Sequence, residues 1–162
     1  MSGYLITERG RLMSSPKKKF KSFTYENTVS WVGDRAGTLS AEGMPEFRVA
    51  SPPEFKGEEG VWSPEDLFVA SVNVCTLTTF LAFAYHKDLP LESYESSGEG
   101  LLERVESGFE FTKVIIRPTI LVASREDVET AEQLVHRAHE KCLISNSIKG
   151  EVVIEPDIRV AA

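Results

Sequence analysis

Cysteine is scarce in this sequence: two residues in 162, Cys75 and Cys142, too few to staple a secreted disulfide scaffold. No apolar run follows Met1, so no signal peptide is predicted and a reducing, cytoplasmic setting is the expectation. Net positive charge is missing too. With 18 Lys and Arg against 25 Asp and Glu, the formal charge of -7 argues against a general nucleic-acid binder, because neutralising phosphates needs a basic surface. Charge of either sign is absent from Leu67 to Tyr85. That run contains Ser71, Asn73, Thr76, Thr78 and Thr79 and is closed by Lys87 and Asp88, which makes it a poor bilayer span. It reads instead as a helix buried on nearly every side, with no membrane partner.

What is present is enough for one core. At 41% hydrophobic, the chain is expected to fold as a single domain over residues 23–162, preceded by a basic arm, residues 1–22, in which Lys17, Lys18, Lys19 and Lys21 crowd together. The arm reads as a solvated tail or as an electrostatic contact with a partner. From Phe23 the pattern is strand-like: FTYENTVSW, a glycine-bounded turn VGDRAG, then TLSAEG and PEFRVA, a small antiparallel meander.

The uncharged helix has a legible start. Ser63 suits the N-cap, Pro64 the first helical position, and Asp66 completes a capping box. Pro90 disfavours continuation past Asp88. Two further strand regions follow, LESYESSGEGLL and FEFTKVIIRPTILVA, the latter carrying an apolar run, Val114, Ile115 and Ile116, that Pro118 interrupts. Ser124 opens a second helix, along which Val128, Ala131, Leu134, Val135, Ala138 and then Cys142 form one stripe. A last strand, GEVVIEPDIRV, closes the chain. The order lacks regular βαβ alternation, so the fold class is α+β.

Each cysteine thus lies on or just past a helical segment. Taken alone, each reads as a small buried hydrophobe, and apolar burial raises a thiol's pKa, so chemistry would need an activating cation. His86 lies about 16 Å along the helix axis from Cys75 and cannot take its proton within one unbroken helix. His139 neighbours Cys142, but His136, His139 and Cys142 fan around the helix without a fourth ligand, so no metal is expected. A two-cysteine redox centre served by an arginine stands beside the packing reading. Arg35, held between glycines in Gly33-Asp34-Arg35-Ala36-Gly37, is one such arginine, beside its plainer reading as an exposed turn charge.

Three motifs then occur in order: W-x-G-x-R-x-G in SWVGDRAGTLS, S-P-E-x-L-x-x-A-x-x-x-x-C in SPEDLFVASVNVC, and A-H-x-x-C-x-x-S-N in AHEKCLISNSIKG. Together they resemble the OsmC/Ohr superfamily of osmotically inducible and organic hydroperoxide resistance proteins, over roughly residues 24 to 158. The resemblance implies antiparallel sheets around long central helices, an intertwined homodimer with sites at the subunit interface, and a thiol-dependent peroxidase that reduces organic hydroperoxides without a cofactor or metal. Residue by residue, it implies a peroxidatic Cys75 that becomes a sulfenic acid and a resolving Cys142 that condenses with it to a disulfide. It further implies Arg35 holding Cys75 as thiolate and Glu65 positioning that arginine. A dithiol reductant, lipoyl-type in the Ohr branch, would reset the site. Leu143 stands where the family often has proline, and the basic arm lies outside the resemblance; both mark a divergent branch. A non-catalytic dimer that binds a small apolar ligand or senses oxidant is the alternative. In a straight helix Glu65 sits about 15 Å from Cys75. Either the helix breaks after its first turns, or Glu65 serves the Cys75 of a second chain.

Overall fold

The computed structural model describes residues 21–161. Residues 1–20 of the basic arm lie outside the described residues. A first sheet is the expected antiparallel meander, β1 (Thr28–Gly33), β2 (Ala36–Ser40) and β3 (Phe47–Ala50), in that order. Its tight first turn places Gly33 at φ 115° and Asp34 at φ 43°, and the Trp31 indole N–H donates to the Asp34 carbonyl at 3.1 Å. Ala36 and Ala50 are its fully enclosed hydrophobic residues, and neither core cluster draws a residue from it.

Helix α1 (Pro64–His86) begins as its sequence dictates. The Ser63 hydroxyl accepts the Asp66 N–H at 3.0 Å while the Asp66 carboxylate accepts the Ser63 N–H at 3.0 Å, a complete capping box. The helix runs unbroken through its Val- and Thr-rich middle, where Thr76 and Thr78 return their hydroxyls to Val72 and Val74 carbonyls and so hide their own polarity. By length and composition it could cross a membrane, yet Val72, Thr76, Phe80 and Ala84 are packed inside the protein. The expectation of burial on nearly every side needs correction for the single chain. Val74, Leu81 and Tyr85 are exposed, Tyr85 by 82%, because one sheet and one neighbouring helix cover only part of the circumference.

The second sheet is built on the long hairpin β4 (Leu91–Val105) and β5 (Gly108–Val122). Gly98 and Gly100 let α1 lie close: a Cβ on Gly100 would fall 2.5 Å from the Val69 side chain. Asn73 fixes the approach from α1, donating to the Ser96 carbonyl at 3.3 Å and accepting the Ser96 hydroxyl at 2.6 Å. Along β5 every second residue from Val114 to Val122 is buried, the face turned to the helices.

One sequence expectation about this sheet is revised, and the place of its proline is explained. The closing strand is two strands, β6 (Glu151–Ile154) and β7 (Asp157–Val160), both parallel to β5, so the sheet is mixed rather than purely antiparallel. Pro118 does not interrupt β5. β6 pairs with Lys113 to Ile116 and β7 with Thr119 to Val122, so the proline, which has no N–H to give, falls in the gap between them. Pro156 breaks the other side at the same place.

Helix α2 (Asp127–Lys141) crosses from β5 to β6 and buries Ala131, Leu134, Val135 and Ala138 against Phe80 and Ala84 of α1 and Ile120 and Val122 of β5. A second cluster, Val72 with Val114 and Ile116, continues the core toward the start of α1. Over the described residues the chain is α+β, with two α-helices on a mixed sheet and the small meander beside them.

Candidate active site

Packing α2 along α1 sets the C-cap of one helix against the middle of the other. Cys142 is that C-cap residue and is 0% exposed; Cys75, in the fourth turn of α1, is half-buried. Both thiols are free, and each acts on the ionisation of the other, so the two sulfurs are neighbours. Residues 67 positions apart in sequence thus form one sulfur pair (142 − 75 = 67).

The environment treats the sulfurs differently. Burial pushes the Cys75 thiol up, and the hydrogen bond and charge of Cys142 push it further; the Ile144 N–H and the Thr79 hydroxyl offset this in part. Burial also acts to raise Cys142. There it is outweighed by the interaction with Cys75 and by the N–H groups of Ser145 and Ile144, leaving this thiol below its ordinary value. The Ser145 N–H lies 3.4 Å from the Cys142 sulfur. In one chain by itself, the surroundings therefore make Cys75 the less acidic of the two.

Arg35 is not beside that pair. It is exposed, and its Nη1 donates to the Phe55 carbonyl at 2.5 Å, near Pro64 at the start of α1. Glu65 lies in the first turn of α1, and its Oε2 is buried without a hydrogen-bond partner among the described residues. Arg35 and Glu65 flank Phe55 from two sides but do not pair with each other within the chain. Because α1 is unbroken, neither reaches Cys75 of its own chain.

Glu65 lines a groove of about 870 Å3 between the start of α1, the Pro52–Trp62 segment and the β4–β5 hairpin, walled by Phe55, Trp62, Phe109 and Phe111. Neither cysteine lines it, so the chemistry is assigned to the sulfur pair and not to this larger space. Among the described residues, no group of three or more His, Cys, Asp or Glu is placed to hold a metal ion.

The model of the OsmC-like protein family matches residues 57–157, more than half of the chain and inclusive of both cysteines. The chain belongs to the OsmC-like family. Among curated relatives, it is 26% identical over 137 residues to the uncharacterized protein YmaD of Bacillus subtilis, covering 82% of this chain and 91% of that one. It is 29% identical over 129 residues to the organic hydroperoxide resistance protein OhrB of the same organism, covering 78% of this chain and 92% of OhrB. Among solved structures, an OsmC-like protein of unknown function from Vibrio cholerae superposes with a TM-score of 0.74 at 28% identity, over 82% of this chain and 99% of the other.

Within this OsmC-like fold, three residues around the sulfurs carried no sequence-level assignment. Thr79 is one turn beyond Cys75 and on its side of α1, a position that helical spacing alone could have raised. Ile144 and Ser145 act through a turn just past α2. Ser145 stands in the quoted C-x-x-S-N stretch, but nothing in the sequence says that this turn folds back on the sulfur.

Proposed function

We propose that this OsmC-like protein is a thiol-dependent peroxidase that reduces organic hydroperoxides to alcohols, working as an intertwined homodimer. The observation that carries the reading is that the free thiols of Cys75 and Cys142 are near neighbours, each acting on the other's ionisation, as condensation to a disulfide requires. The Cys75 thiolate attacks the peroxide oxygen, the O–O bond breaks, and the alkoxide leaves as alcohol, giving a Cys75 sulfenic acid. Cys142 then attacks the Cys75 sulfur, expelling hydroxide, which leaves as water, and forming the disulfide that a dithiol reduces. The name of the relative OhrB supports the substrate class.

Burial and its neighbour both push the Cys75 thiol up, so a cation beside it would favour the reactive thiolate. Arg35 of a second subunit is the group we assign to this role. Glu65, whose buried oxygen lacks a donor among the described residues, would orient that arginine from the same subunit. Two surfaces support the dimer. The five residues Thr28 to Val32 of β1 are exposed, Trp31 by 79%, and the stripe Val74, Leu81 and Tyr85 runs along α1 beside Cys75. Apolar area of this extent marks an interaction surface. A partner across α1 would bring a first turn with Glu65, and the meander with Arg35, toward Cys75.

The test is stopped-flow reaction of the reduced protein with cumene hydroperoxide and with hydrogen peroxide, counting free thiols before and after. Fast, preferential loss of two thiols per chain with the organic peroxide is expected. Slow or absent loss with both would refute the peroxidase and leave a binding or oxidant-sensing dimer.

A further inference from the structure

The two sulfurs differ in access and in what surrounds them. Cys142 is fully enclosed, and the chain after it bends at once into the turn Ser145–Ser147. That turn is fastened on several sides: the Cys142 N–H donates to the His139 carbonyl at 3.3 Å, the Asn146 N–H to the Cys142 carbonyl at 3.1 Å, and the Ser147 hydroxyl to the Leu143 carbonyl at 2.7 Å. The Asn146 side chain adds a bond to the Glu140 carbonyl at 3.0 Å. So held, the turn aims the Ser145 N–H at the Cys142 sulfur at 3.4 Å. The Ser145 Oγ, on the residue whose N–H meets that sulfur, is buried with no hydrogen-bond partner among the described residues. Cys75 keeps an accessible side.

Resting on the proposed peroxidase cycle, we infer that its disulfide is opened at the Cys75 sulfur, with Cys142 as the leaving group, and that Ser145 is a positioning residue that receives the departing Cys142 thiolate. Thiol–disulfide exchange is an in-line displacement whose rate rises with access to the attacked sulfur and with stability of the leaving thiolate. One thiolate of a dithiol attacks Cys75, forming a mixed disulfide. The Cys75–Cys142 bond breaks and its electron pair passes to Cys142, where the Ser145 N–H and hydroxyl meet the new charge. The second thiol of the reductant loses its proton and attacks the reductant's own sulfur, closing a cyclic disulfide and releasing Cys75 as thiolate. The dithiol loses two electrons and the protein gains two. Cys75 thereby meets both the peroxide and the reductant, and Cys142 meets neither.

The regiochemistry is read on the full-length chain after its disulfide is made with diamide, so it does not depend on whether peroxide makes it. A brief exposure to 2-mercaptoethanesulfonate, acid quench, alkylation and peptide mass mapping should place the mixed disulfide on Cys75 and the alkyl group on Cys142; the reverse pattern overturns the inference. Ser145→Ala should slow reduction of that disulfide by dihydrolipoamide about tenfold, the loss of one charge-assisted hydrogen bond. In a Cys75→Ser background, Ser145→Ala should also shift Cys142 thiolate absorbance at 240 nm to higher pH, with Ser145→Thr restoring both readouts. An unchanged titration and reduction rate in Ser145→Ala would remove Ser145 from the step. Failure of the peroxide assay with normal mapping would instead refute the peroxidase and leave the order of sulfur attack intact.

Discussion

If each site is shared between subunits, two disabled chains should rescue one another. Arg35 is anchored near Pro64, and along an unbroken α1 that end of the helix is about 15 Å from Cys75 of the same chain. At an effective dielectric of about 20, a guanidinium attracts a thiolate by about 4 kcal/mol at 4 Å but by only about 1 kcal/mol at 15 Å. The arginine that activates Cys75 must therefore come into contact with it, and Arg35 of the same chain does not. Losing about 3 kcal/mol of that stabilisation in Arg35→Ala should slow the first step by about two orders of magnitude. Cys75→Ser should have no turnover. Unfolding and refolding these two variants together should give about half hybrid dimers, each with one site that combines an intact Cys75 from one chain with an intact Arg35 from the other. Turnover of cumene hydroperoxide should then return to about one quarter of the wild-type level, well above either parent. A hybrid preparation no more active than its parents would show that Arg35 does not act across subunits, and the shared-site reasoning would fall.

Three further outcomes follow from the same geometry. Cys142→Ser should complete one peroxide reduction and stop, leaving a sulfenic acid on Cys75 that dimedone traps and mass spectrometry locates; continued turnover with the dithiol would show that Cys142 does not resolve it. Without Arg35, Cys75 is left with burial and Cys142, both of which raise its pKa. Since the thiolate reacts, the first-step rate of Arg35→Ala should keep climbing with pH beyond the point where the wild type levels off, and matching pH profiles would exclude Arg35 as the activating cation. Tyr85→Glu places a charge on an exposed stripe of α1 distant from the first-turn groove. It should weaken self-association in sedimentation velocity by at least tenfold and lower peroxide turnover in step; an unaltered dimer would remove this stripe from the interface.

Some of this molecule was legible residue by residue because its signals are local. Ser63, Pro64 and Asp66 specify the start of α1 through bonds closed within one turn, and the stripe of Ala131, Leu134, Val135 and Ala138 specifies the buried face of α2 by spacing alone. The same holds for the meander, whose turn residues Gly33 and Asp34 occupy the left-handed backbone region that the GDRAG stretch invites. The motifs around Arg35, Glu65, Cys75 and Cys142 were likewise in plain view as residues in order.

What spacing could not convey was pairing between distant segments. Pro118 looked like an interruption because a proline removes a hydrogen-bond donor; whether that donor was needed depended on β6 and β7 stopping to either side of it. The parallel placement of those strands follows from α2 crossing back over the sheet, and so does the contact between the sulfurs. Sequence alone determined which segments are helix and strand and which side chains could carry chemistry, since propensity, capping and periodicity act over a few residues. Tertiary packing alone decided that Cys142 is enclosed while Cys75 is only half-buried, and that Arg35 is brought to the end of α1 where Glu65 stands. These are consequences of where long-range contacts put each element, and a rigid unbroken helix then keeps the two ends apart.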